Sequence, residues 1–326
     1  VRSLVIGAAA IGLGWQGWRA FSGAMPVAHA IEMEGLVLAG PAVLILVGLV
    51  LLAERRWPAV ARPLLAPGHR QDAAYLLTYV FLAVPVVTLV GTGFAVIALQ
   101  VVPGLAGLSA GLPGAIHGVA PRWLVVAAAL VVIDGGNWLA HLFNHRVGTL
   151  WRFHALHHSQ EEMSILTSFR AHPLVHVSYQ MAALPLIVLG TAGVVPAPVL
   201  VGYVLLSTLP HANVRWSFGP LGRVLVSPAY HRFHHDREDL RGVNLGTVLV
   251  LWDRLAGLAV FPEPGQAPVA TGLAGRPLPA EQAAVSHGVW AMLSRQLLEP
   301  FRLAPASNPE PASAHRPSAD LVVLGA

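Results

Sequence analysis

WLVVAAALVVIDGGNWLAHLFNHRVGTLWRFHALHH, residues 123–158, joins an apolar run to a dense set of histidines. About 20 apolar residues, at 1.5 Å rise each, cross the roughly 30 Å hydrocarbon core of a bilayer as a helix. Residues 123–140 come close to that length and lead straight into His141 and His145, then His154, His157 and His158. A third cluster, His231, His234 and His235, comes about seventy residues later, with His211 between. Helix positions i, i+3 and i+4 share one face, so each cluster can aim two or three imidazoles at one point. Neutral imidazole is the commonest metal ligand and suits iron, zinc, copper and nickel. These nine are too many for one ion of four to six ligands, so the pattern predicts two metal ions close together. His287 and His315 stand alone in the sequence and are read as uninvolved.

The composition agrees with a membrane setting. The chain is 55% hydrophobic and 11% charged, with mean hydropathy +0.62, whereas an average soluble domain is about 25% charged. Every basic residue other than histidine is Arg, and with abundant Ala, Gly and Val this points to a GC-rich, bacterial source. The arginines are scattered through short loops and form no basic run that would track phosphates, so nucleic acid is not expected as a partner. Cysteine is absent, which excludes a disulfide, a thiolate ligand, an iron–sulfur cluster and a Cys nucleophile.

Working outward, residues 35–53 and 73–102 are further apolar stretches of spanning length. Residues 173–209 read as a two-span hairpin with its break at 190–198. Residues 4–15 are apolar but short. Arg55, Arg56, Arg62 and Arg70 lie between the first two spans, while 103–121 and the hairpin tip carry no charge. Arg146, Arg152 and Arg170 come after the third span, and Arg215, Arg223, Arg232 and Arg237 after the last. By the positive-inside rule, all arginine-rich segments and all histidine clusters then face the cytoplasm. The expected fold is all-α: a transmembrane bundle of about four to five spans under a cytoplasmic, histidine-rich, metal-binding helical cap. The expected divisions are membrane spans in 1–119, a metal-binding domain in 120–262, a linker and amphipathic helix in 263–302, and a disordered tail in 303–326. The amphipathic segment, 281–302, would lie either on the membrane surface or against the metal-bearing region.

None of the clusters places Glu directly after its first His, as a zinc-protease helix requires. An open all-imidazole metal pair at a membrane surface instead suits O₂ and one-electron chemistry on a lipid. The motifs bear this out as a resemblance. Asp134-Gly-Gly-Asn-Trp-Leu-Ala-His141 through Arg146 resembles the first histidine box of the fatty acid hydroxylase/sterol desaturase superfamily, and Leu150 through Ser159 resembles the second. Arg170-Ala-His172-Pro173 and His211-Ala-Asn213 resemble elements between the second and third boxes of that family. The run His231–His235, with Asn244-Leu-Gly246 and Leu251-Trp-Asp-Arg-Leu255, resembles the third box and the close of the domain. The resemblance covers about residues 120–262.

It implies an integral membrane non-haem di-iron oxygenase of the bacterial inner membrane, which hydroxylates or desaturates a lipid with O₂ and two external electrons. The implied ligands are His141, His145, His154, His157, His158, His211, His231, His234 and His235. Two iron ions are expected, with zinc able to replace them on purification. His172 is expected to support a ligand or to be an extra one. His176 and Asn213 depart from the family pattern, and His176 is either a substitute ligand or a core residue. Asp134, at membrane depth, is expected to orient a ligand imidazole, or else to partner Asn137 or a Trp N–H; Asp236 is a second candidate for the first role. No flavin, nicotinamide or cytochrome motif is seen, so the implied electron donor is a separate ferredoxin or b-type cytochrome with its reductase. The competing readings are a membrane metal-binding or transport protein and a non-catalytic relative.

Overall fold

The computed structural model describes residues 41–63, 66–108, 120–179, 195–238, 242–263, 265–273 and 288–302. The short apolar segment 4–15, most of the loop 103–121, most of the hairpin tip, residues 281–287 and the tail 303–326 fall outside these residues. Among the described residues the chain is helical and has no strand. Isolated bridges, Pro58 to Val214 and Leu225 to Leu249 among them, pin loops together.

Helix α1 (Pro41–Arg56) ends at the arginine pair. Helix α2 (Pro67–Thr78) starts with Pro at its first position, where a missing N–H costs nothing. It runs through a single π-helical turn, Tyr79–Ala83, into α3 (Val84–Val101). Pro85 sits just past that turn and cannot donate back along the helix, which favours the local change of winding. Helix α4 (Arg122–Arg146) carries the apolar run and continues through His141 and His145. Pro67–Gly91 and Arg122–Arg146 are long and apolar enough to cross a membrane, and Pro198–His211 is a shorter apolar helix. Trp123, Leu124, Val131, Val132 and Leu139 on α4 are exposed, as a lipid-facing surface would be.

A single residue, Val147, separates α4 from α5 (Gly148–His158), serving as the C-cap of one and the N-cap of the other. This corner folds the second histidine box back onto the first. A 3₁₀ turn, Ile165–Phe169, comes next, begun by a Ser164–Thr167 capping box. Then come α6 (residues 173–179), α7 (Ala197–Thr208) and a 3₁₀ turn ending at His211. Helix α8 (Pro228–His234) is capped by Ser227, whose hydroxyl accepts from the Tyr230 N–H, and is succeeded by the short α9 (Leu251–Leu255).

Helix α10 (Val289–Arg302) resolves the amphipathic segment in favour of packing. Its Leu293 joins Tyr75 and Leu156 in a buried cluster, the Tyr75 hydroxyl donates to Gln296 at 2.7 Å, and Phe301 meets Phe153 edge-on.

One buried network ties α2 to the loop after α5. Arg170 and Asp72 are both fully buried and form an ion pair at 3.1 Å. The guanidinium also donates to Gln71 Oε1 at 2.8 Å, to Ser159 Oγ and to the Leu156 carbonyl, while Asp72 accepts from the Thr167 hydroxyl at 2.8 Å. The network holds the C-terminal turn of α5, where His157 and His158 sit.

Candidate metal centre

All nine expected histidines are buried and fall into two adjoining groups. His141 and His145 from α4, His154 and His158 from α5, and His234 from α8 form the first. His157, His211, His231 and His235 form the second. Within each group the ligand nitrogens lie within 4.8 Å of one another. The groups share a wall, where the His158 and His235 rings stack at 4.4 Å. Every helix that carries a box sends imidazoles to both groups except α4, because neighbouring histidines on α5 and α8 diverge to opposite sides.

The nitrogens fit a metal. His141 Nδ1 donates to the Leu245 carbonyl at 2.9 Å, His157 Nδ1 to the Arg170 carbonyl at 3.2 Å, and His234 Nδ1 to the Val243 carbonyl at 2.9 Å. The Ser168 hydroxyl donates to the Thr208 carbonyl, so its oxygen is left to accept from His211 Nδ1 at 2.9 Å. In these rings the proton sits on Nδ1 and the Nε2 lone pair is bare. Yet His157 Nε2 and His211 Nε2 face each other at 3.1 Å. Two lone pairs at that distance repel unless a cation lies between them. The separation is one that two nitrogens adopt on a single ion with metal–nitrogen bonds of about 2.0–2.1 Å. Further nitrogens, including His145 Nε2, His234 Nε2 and both of His158 and of His235, are buried with no hydrogen-bond partner.

Protonation would not relieve this. Burial first, and the nearby imidazoles second, hold His154, His157, His158, His231, His234 and His235 well below the ordinary imidazole range. These six therefore stay neutral and ready to ligate at physiological pH. The same shift makes the metal-free protein acid-labile. Folded-state values lie below the unfolded value of about 6.5, so below that pH the unfolded chain binds protons that the folded chain cannot. Stability present at pH 8 is expected to fall as pH drops below about 6.5. Thermal unfolding of chelator-treated protein at pH 8, 6.5 and 5.5 checks this; a flat profile would contradict it.

The other expected site residues lie outside the two groups. Asp134 is buried but touches no imidazole. It accepts from the Val248 and Leu249 N–H groups, from Trp252 Nε1 at 2.9 Å and from the Tyr203 hydroxyl, so it is the partner of a Trp N–H and a staple for the loop after α8. His172 joins neither group. Its Nδ1 accepts from the Leu174 N–H, its Nε2 donates to the Leu297 carbonyl on α10, and its ring packs on Phe153. Asp236 accepts from the Glu238 N–H at the surface. His176 joins neither group, and Asn213 bonds the backbone of Val60 and accepts from Arg232.

Two residues of the motifs, Asn244 and Asp253, hold central positions that their spacing does not announce. Asn244 adopts φ 56°, a left-handed conformation that Asn tolerates. That twist presents the carbonyls on either side of it, Val243 and Leu245, to His234 and His141. Asp253 is fully buried and accepts from Trp138 Nε1, the Tyr230 hydroxyl and the N–H groups of Leu245 and Gly246. A carboxylate inside an apolar run was the available signal for Asp253.

A cavity of about 300 Å³ opens against the histidines. His141, His154, His157, His211 and His231 form one end, and Val84, Val87, Ile133, Val175, Leu200 and Val204 line much of the rest. Two clustered imidazole groups thus sit on an apolar helical scaffold, at the head of a largely apolar slot. Residues 126–258 match the family described as fatty acid hydroxylase, which supports the resemblance to the fatty acid hydroxylase/sterol desaturase superfamily. The chain is 35% identical over 144 residues to an ornithine lipid hydroxylase of Rhizobium tropici, covering 42% of each chain. It is 29% identical over 135 residues to an alkylglycerol monooxygenase of Homo sapiens, covering 40% of this chain and 29% of the relative. It is 32% identical over 152 residues to cholesterol 25-hydroxylase-like protein 2 of Danio rerio, covering 43% and 52%. The chain thus spans about half the length of these relatives or less. No solved structure matches it.

Proposed function

We propose that the protein is a membrane-bound non-haem di-iron oxygenase that oxidises a lipid at a carbon–hydrogen bond. The observation that carries this reading is the pair of neutral imidazole groups, five and four, at the head of an apolar slot. His141, His145, His154, His158 and His234 would hold one iron, and His157, His211, His231 and His235 the other. Iron so held would supply reduction of O₂ and the oxidising power to break the C–H bond. The superfamily is one of iron enzymes, and the names of the relatives, hydroxylase and monooxygenase, favour hydroxylation over desaturation. Hydroxylation consumes one O₂, two electrons and two protons and yields the alcohol and one water. This chain's residues do the rest: the carbonyls of Leu245, Arg170 and Val243 fix imidazole tautomers, and the apolar wall excludes water and lays the lipid chain against the histidines.

The slot opens among helices read as membrane spans, so the lipid enters from the bilayer. The arginine distribution supports a location of the histidine groups on the cytoplasmic side of a bacterial inner membrane, within reach of a soluble or membrane-anchored reductant. Two electrons must come from that partner, a ferredoxin or a b-type cytochrome with its reductase. Metal-loaded protein given lipid and O₂ alone is expected to show no sustained turnover, and the carrier and reductase to restore it. Acidic carriers steered by the exposed Arg215 or Arg223 would couple less well at high salt, because exposed charges are screened within about 8 Å at physiological ionic strength. Steady alcohol formation from NADPH and O₂ without any carrier would contradict the proposal, as would lipid hydrolysis that needs the metal but not O₂.

A further inference from the structure

The slot is apolar but not uniformly so, and one of its polar atoms is left over. Most polar groups in its wall are already engaged. Asn137 donates to the Tyr203 hydroxyl at 3.0 Å, which itself donates to Asp134. The hydroxyls of Ser168, Ser207 and Thr208 donate to carbonyls of α7. Outside the nine clustered histidines, His176 is the one cavity-lining side chain among the described residues with a buried nitrogen, Nε2, that has no hydrogen-bond partner.

Its surroundings hold it in place. His176 lies on α6 with Val175 and Tyr179, which also line the slot. Its ring packs on Tyr79 at 4.7 Å, tilted by 57°. Tyr79 is the first residue of the π-helical turn Tyr79–Ala83, a local winding that recurs at functional sites. Tyr79 packs in turn on Phe169, at 5.6 Å. Among the described residues, no Asp, Glu or Arg lines the cavity. A charged headgroup therefore has no counter-charge inside, and an imidazole nitrogen left unpaired there is unfavourable.

We propose that His176 is the anchor for one uncharged, hydrogen-bonding group of the lipid: a hydroxyl, or an ether, ester or amide oxygen that accepts from Nε2–H. The substrate is then an oxygen-bearing chain and not a bare hydrocarbon, and His176 sets where along it the histidines act. This rests on the slot being the substrate site of the oxygenase proposed above, but its test needs no turnover.

The probes are decan-1-ol and decane, each competing with bromodecane for quenching of tryptophan fluorescence in metal-loaded protein in detergent micelles. The ratio of variant to wild-type affinity cancels the partition of each probe into the micelle. His176→Leu is expected to weaken decan-1-ol about tenfold, the scale of one lost buried hydrogen bond, and to leave decane equal or tighter. His176→Gln, which keeps a donor, is expected to recover part of the alcohol affinity. Metal content should match wild type in both variants. An unchanged alcohol-to-decane ratio in His176→Leu overturns the proposal. So does loss of metal from both variants, which would make His176 a ligand. A protein that holds the alcohol through His176 yet oxidises no lipid would fail the oxygenase reading and leave the anchor standing.

Discussion

His211→Ala is expected to lower bound metal from close to two ions per chain to about one, and to cut lipid turnover by roughly 100-fold or more. His211 belongs to the smaller group, and its Nε2 faces both His157 Nε2 and His231 Nε2 at 3.1 Å. Removing it leaves three imidazoles there and a hole between two of them. The larger group shares no residue with it, so that group should keep its ion. Elemental analysis of reduced, anaerobically purified protein reads the first effect, and product formation with carrier and reductase reads the second. Ser168→Ala is a graded companion. It removes only the oxygen that takes the His211 Nδ1 proton, and is expected to weaken metal binding about tenfold without abolishing it. Retention of two ions and wild-type turnover in His211→Ala would remove this residue from the site.

The other large effect lies outside the histidines. Asp72→Ala is expected to destabilise the protein by about 3–5 kcal/mol, because it strands the fully buried Arg170 guanidinium without its counter-charge. The loss should reach the metal as well, since the Arg170 carbonyl receives the His157 Nδ1 proton and its guanidinium holds the last turn of α5 through Leu156 and Ser159. The double replacement Asp72→Leu, Arg170→Met should recover much of the stability, because an apolar pair of similar bulk avoids the desolvation of both charges. Chemical denaturation in mixed micelles gives the comparison. A double variant no more stable than Asp72→Ala would mean that the network matters through its hydrogen bonds and not through its charges.

The sequence made the gathering of histidines legible because the signal is local. Spacings of three and four residues put His154, His157 and His158 on one turn whatever the rest of the fold does. The division into five and four was not legible, since it depends on how α4, α5 and α8 cross, and on a one-residue corner at Val147, a residue type that does not signal a helix break. The supporting contacts were also hidden, for a different reason. Four rings are oriented by three backbone carbonyls and one serine, and carbonyls leave no mark in a residue alphabet. His172 shows the same limit: its partner is the carbonyl of Leu297, 125 positions away. Asp134 stands out in sequence as a costly carboxylate, but its partners come from Tyr203, 69 positions on, and from the loop near Trp252, 118 positions on, and no imidazole is among them. Among the described residues α1, α3, α4 and α7 overlap the apolar stretches and α10 falls within the amphipathic one; whether it would pack or float could be decided only by Tyr75, Leu156 and Phe153.

Asp134 and Asp253 make the loop 243–253 a part of α4 in all but covalent terms. One carboxylate rises from the helix to catch Val248, Leu249 and Trp252. The other descends from the loop to catch Trp138. Gly135 completes the fit, for a Cβ there would meet the Trp252 ring at 2.8 Å. Recombination between members of the family is therefore constrained in a way the histidine boxes do not reveal. A crossover placed between the second and third boxes separates residues 134–138 from residues 245–253, and each half arrives with a lock cut for a different key. Segments exchanged as a matched set, 130–146 together with 243–255, should yield functional hybrids far more often than contiguous blocks of the same total length.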